Sequence, residues 1–142
     1  MSASSARPDS APSSAPRIRQ SSPRSKLGRV ALGAAKGLPQ VADGVAGAQN
    51  LWATEDEGEI LAGVIVAARQ DARFDVDLHL VARWPFGSLF DLADQVRDRV
   101  RLAASGSELE TILGEVSVAF EDVVEPSDDY RLAPGATSDF PR

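Results

Sequence analysis

Asp75, Asp77 and His79 stand at alternate positions of the stretch FDVDLHLVAR. On an extended strand such residues share one face, with neighbours about 6–7 Å apart. Two carboxylates and an imidazole have the donor chemistry of a divalent-cation site, and an imidazole alone can serve as a general base. A straight strand converges three ligands on one ion poorly, however, and no Ser or Cys stands close to His79 in the sequence. The solvated face of any strand carries the same residue types. Gly28, Gly33 and Gly37 with Lys36 suggest a phosphate loop, but the pattern G-x-x-x-x-G-K-[ST] is not met. Ala34 and Ala35 follow Gly33, and no hydroxyl follows Lys36. A closely packed helix of small residues accounts for them.

A second candidate lies just downstream. Trp84, Phe86 and Phe90 surround the Trp-Pro-Phe-Gly that separates a two-residue apolar period from one of three to four residues. They form either a hydrophobic staple that sets the angle between strand and helix, or an exposed contact surface. Together with the face of Asp75, Asp77 and His79, this aromatic corner is the candidate interaction surface. No residue is assigned a catalytic, metal or cofactor role, and no small-molecule substrate is indicated.

Composition narrows the classes further. A chain of 142 residues accommodates one domain. The absence of cysteine excludes disulfide scaffolds, thiolate metal sites and Cys nucleophiles. With His79 the single histidine, Zn or Fe centres built mainly from imidazole are excluded as well. No apolar run reaches the ~18 residues of a membrane span, and the N-terminus has no secretory h-region, so a cytoplasmic location is expected.

The net charge of −6 is unevenly spread. Residues 1–26 carry five basic side chains against one acid, whereas the remainder carries ten against twenty. An acidic globular part argues against phosphate-backbone binding by the fold itself. A nucleic-acid-binding module would have to use the basic tail, where phosphorylation at Ser21 or Ser22 would cancel charge.

The elements that must position these residues follow from periodicity. Residues 1–26 hold nine Ser and four Pro with one bulky aliphatic, Ile18, which predicts a disordered tail. Residues 27–123 form the domain, and 124–142, with three prolines and no period, form a flexible C-terminal tail. Within the domain, Leu27, Val30, Ala31, Ala34, Ala35 and Leu38 predict a short helix that stops before Pro39. VADGVAGAQNLWA reads as a turn with a short edge strand or as irregular chain, and TEDEGE as an exposed acidic loop. Residues 60–69 and 73–83 predict an antiparallel hairpin, the second strand placing Phe74, Val76, Leu78 and Leu80 inward. Trp84-Pro85 ends it. Ser88 caps a helix over 88–104 with Leu89, Leu92, Ala93, Val96, Val100 and Ala103 as its apolar stripe. A short helical piece at 107–113 precedes a final strand over 115–123. The fold class is α+β: a small mixed sheet of three to four strands, order α-β-β-α-β, with the helices on one face.

The stretches FDVDLHLVAR, SLFDLADQVRDRVRLAA and EVSVAFEDV, with the small-residue turn Val41–Gly47 ahead of them, resemble the alkaline shock protein family of bacterial cell-envelope stress proteins. The likeness spans residues 29–123. Arg83-Trp84-Pro85-Phe86-Gly87 stands where that family commonly has Tyr-Gly, and Ala104-Ser105-Gly106 where it often has Met-Thr-Gly, so the chain resembles a divergent member. The resemblance implies a non-enzymatic cytoplasmic protein that forms homo-oligomers. It also implies association with a small membrane-integral anchor protein at the inner face of the cell membrane. It carries no catalytic residues.

Overall fold

The computed structural model describes residues 22–125. The expectations for residues 1–21 and 126–142 lie outside that range. Two helices and six strands follow in the order α1 (Pro23–Lys36), β1 (Val41–Gly44), β2 (Ala53–Asp56), β3 (Glu59–Ala62), β4 (Val64–Ala68), β5 (Phe74–Arg83), α2 (Leu89–Ala104) and β6 (Leu113–Val124). The α+β class holds. The simple α-β-β-α-β order does not, because five strands precede α2 where two were expected.

Helix α1 begins at Pro23, inside the segment expected to be disordered. The Ser22 hydroxyl accepts from the Ser25 N–H at 3.0 Å, and proline occupies the first turn, where its missing N–H is no loss. Two of the five basic residues assigned to the tail, Arg24 and Lys26, are therefore helical, and the Arg24 guanidinium donates to the Val66 carbonyl at 2.7 Å. Leu27, Gly28, Ala31, Leu32 and Ala35 form the buried stripe. Gly28 meets β4 closely, since a Cβ there would stand 3.2 Å from Val66 Cγ2.

The run 60–69 is two strands. Gly63 separates them at φ +97°, where a Cβ would lie 2.6 Å from Gly44 Cα and 2.7 Å from the His79 carbonyl oxygen. Only glycine fits that crossing. Before it, β2 and β3 form a hairpin in which Ala53 faces Ala62 and Asp56 faces Glu59. Glu57 and Gly58 both take positive φ, as a two-residue hairpin turn requires. The acidic loop is thus a folded ribbon. Asp56 is 1% exposed and pairs with Arg29 Nε of α1 at 2.6 Å, while Arg29 Nη2 reaches Glu59 at 2.7 Å. The Arg29 guanidinium, bonded by Glu59 and Asp56, is held in its charged form, above the usual arginine range.

Strand β5 organises the larger sheet. Along one edge it pairs in parallel with β6, from Phe74 opposite Leu113 to Arg83 opposite Val124. Along the other edge it pairs antiparallel with β4 over its first half and with β1 over its second. The predicted β4–β5 hairpin is present, with Ala68 opposite Phe74. Val76, Leu78, Leu80 and Ala82 alternate into the core, where Leu27, Ala31, Leu92, Val96 and Val100 cover them from the two helices. Both helices therefore lie on that face. In α2, Ser88 accepts from the Asp91 N–H at 3.0 Å. The buried stripe runs through Leu92, Ala93, Val96, Val100 and Ala104, so Ala104 replaces the expected Ala103 and Leu89 sits at the rim. The piece after α2 is a 3₁₀ turn over Glu108–Thr111. Among the described residues, no helix is long and apolar enough to cross a membrane.

Candidate functional site

The strict alternation of β5 places Asp75, Asp77 and His79 on the face away from the helices, as their spacing requires. Their side chains diverge. Asp75 Oδ1 takes Arg69 Nη1 at 3.2 Å and the Glu115 N–H at 2.8 Å, so this carboxylate fastens the start of β6. Gly114 leaves the room for it, since a Cβ there would stand 2.5 Å from the same oxygen. Asp77 turns the other way. Its Oδ2 lies 3.3 Å from His79 Nε2, while His79 Nδ1 lies 2.8 Å from Oε2 of Glu121 on β6.

The imidazole is 12% exposed and stacks on Trp52, with ring centroids 4.3 Å apart and planes 1° from parallel. The His79 backbone joins this knot as well. Its N–H donates to the Gly63 carbonyl at 2.8 Å, and its carbonyl accepts from the Val45 N–H at 2.8 Å. His79 marks the place where the neighbour of β5 changes from β4 to β1.

This geometry decides between the chemistries the three residues suggested. The two carboxylates nearest His79 approach opposite nitrogens, so they cannot meet on one ion with the ring. Among the described residues, no group of three or more His, Asp or Glu is arranged to hold a metal ion. Both ring nitrogens are engaged and one ring face is covered, which leaves the imidazole poorly placed to take a proton from a substrate. Of the glycines, Gly28 packs against β4 and Gly37 ends α1, whereas Gly33 is exposed with open space around it; Lys36 Nζ pairs with Asp43 at 3.2 Å.

The aromatic corner is a separate group. The Trp84–Pro85 bond is cis. Trp84 and Phe86 meet edge to face at 5.0 Å, with Phe86 packed against the core and Trp84 47% exposed. Phe86 thus ties the corner to the core. Phe90, on the first turn of α2, points outward and is 85% exposed. Nearby, the Trp84 N–H donates to the Val124 carbonyl at 2.8 Å, which brings the end of β6 to the corner, where Val123 is 40% exposed. Beyond its pairing with β5, β6 has no partner strand among the described residues.

Sequence reasoning missed Trp52, Glu121, Gly44 and Gly63. Glu121 lies on the outward face of its strand, as Asp77 does on β5. Its meeting with His79 depends on the β5–β6 register, which neither strand encodes alone. Trp52 follows a glycine-rich run with no period of its own. The chain has no significant match among protein-family models, curated proteins or solved structures.

Proposed function

We propose that this chain is a non-enzymatic interaction protein that associates with itself and is recruited to the inner face of a membrane by a small membrane-integral partner, as the resemblance to alkaline shock proteins implies. The observation that carries this reading is the corner at the end of β5, where Trp84 and Phe90 stay 47% and 85% exposed. Large exposed aromatic side chains are characteristic of contact surfaces. The neighbouring strand β6 has one edge without a partner strand among the described residues, guarded by Glu115, Glu121, Asp122 and two irregularities in its pairing with β5, so the aromatic corner carries the reading by itself.

Sedimentation velocity on the full chain tests the first half. The parent protein should sediment above the monomer mass, and Trp84→Ser with Phe90→Ser should return it to monomer. A monomeric parent at high concentration would sink self-association. Fractionation of the tagged protein in a bacterial host, with cross-linked recovery from the membrane pellet, tests the second half. Recovery as a free species with nothing attached would remove the membrane partner.

A further inference from the structure

The chain that precedes α1 joins the fold at the rim of a groove. Ser22 and Ser25 at the start of α1, Ala53, Thr54 and Glu55 of β2, and Ile65 of β4 line a volume of about 280 Å³. Ser22 is fixed at that rim. Its hydroxyl accepts from the Ser25 N–H at 3.0 Å and its carbonyl from the Lys26 N–H at 2.9 Å. The Ser25 hydroxyl in turn donates to the Glu55 carbonyl at 3.2 Å, which ties the rim to β2. Residue 21 therefore departs from the groove itself.

The groove combines apolar surface with a carboxylate. Ala53 and Ile65 are half-buried there. Ile60 stands opposite Glu55 on the same side of the β2–β3 ribbon and is 50% exposed, so it prolongs the apolar strip. The Glu55 carboxylate makes no ion pair among the described residues. The edge of β4 beside it has no partner strand among the described residues. Side chains close that edge instead: the Thr54 hydroxyl donates to the Val64 carbonyl at 2.6 Å, and the Arg24 guanidinium to the Val66 carbonyl at 2.7 Å. A segment lying here is thus held through its side chains, not by joining the sheet.

The residues attached at the rim have the matching chemistry. Residues 17–21 read Arg-Ile-Arg-Gln-Ser, and Ile18 is the one bulky aliphatic in residues 1–21. It stands four residues before Ser22, a distance of at most ~14 Å in extended chain, and Ser22 already lines the groove. Residues 1–21 carry three arginines against one acid, whereas residues 22–125 carry seventeen acidic side chains against ten basic. Arg17 and Arg19 flank Ile18, and their long stems can cover apolar surface while the guanidinium groups seek a carboxylate. Little intrinsic affinity is needed, because a segment tethered this closely has an effective concentration on the order of millimolar.

We infer that the groove is the docking site of this chain's own residues 17–21, with Ile18 against Ala53 and Ile65 and an arginine of the Arg17, Arg19 pair on Glu55. The basic segment then covers the apolar strip and closes it to other chains. The groove and the aromatic corner share no residue, so this inference stands or falls without the proposed contact surface.

The test is NMR on the full chain with isoleucine methyl and backbone labels. The expected result is an NOE between the Ile18 and Ile65 methyl groups, with backbone order parameters above ~0.6, the upper limit of flexible chain, at residues 17–21. Ile18→Asp removes no residue of the core. It should abolish the NOE, bring those order parameters below ~0.6 and shift the amide signals of Ala53, Thr54 and Ile65. Glu55→Lys should lower the order parameters by less. The parent should show a similar decrease between about 0.1 M and about 1 M salt, where the screening length falls from ~10 Å to ~3 Å. A parent without the NOE, order parameters in the flexible range, or groove amides unmoved by Ile18→Asp would each overturn the inference. So would an NOE that appears between differently labelled chains in a mixed sample, because a second copy would then fill the groove.

Discussion

In the middle of β5, His79 has a partner on nearly every side: two carboxylates, an indole, and backbone bonds to Gly63 and Val45. At the end of the same strand, Trp84 leans on Phe86 with half its surface in water, and Phe90 is almost bare. The residues with the richer chemical repertoire are the ones already satisfied by one another. The residues with the plainer chemistry have contact surface to spare. A group's potential is read from the bonds it has left to make, and by that measure the corner, not the polar face, has contact surface left unused.

The comparison breaks most severely at Gly63. Gly63→Val puts a side chain into a positive-φ crossing against Gly44 and the His79 carbonyl, and should destabilise the fold by about 3 kcal/mol or more. Urea unfolding followed by circular dichroism measures it, and a loss below ~1 kcal/mol would mean that the crossing is slack.

Trp52→Ala removes the lid of the same knot. A half-buried stacked ring should be worth about 2 kcal/mol, less than a fully buried one, and the loss should be mirrored in a lower Tm. The smallest effect is expected at the corner. Phe90→Ser should leave monomer stability within ~0.5 kcal/mol, because an 85% exposed ring has little packing to lose. A large loss there would show that Phe90 packs against the fold in solution, and would weaken the contact-surface reading.

Much of the frame was legible from short-range pattern. The alternation of FDVDLHLVAR placed β5 and its two faces, and Ser88 with the Leu92–Val96–Val100 spacing placed α2. The start of α1 was equally local, since Ser22-Pro23 is a helix-start signal, but the serine-rich composition around it masked the cap. Before Gly63, β1 and β2 were not legible, and β3 was read only as the start of one strand over 60–69. They are four residues each, too short for a period to emerge, and β2 is mostly polar. Their hairpin is held by Arg29, twenty-seven residues from Asp56, so no window of local sequence contains both partners.

The candidate site divides along the same line. That Asp75, Asp77 and His79 share a face, and that an aromatic corner follows, were set by the sequence itself, because strand alternation and the Trp-Pro break act between near neighbours. Only the tertiary structure decided what those side chains do. The parallel register brings Glu121 to His79 across forty-two residues, the Gly44–Gly63 crossing lets Trp52 close over the ring, and the phase of α2 turns Phe90 to solvent. Each depends on how separately formed elements are docked, and docking is settled by the shared core, not by any segment alone.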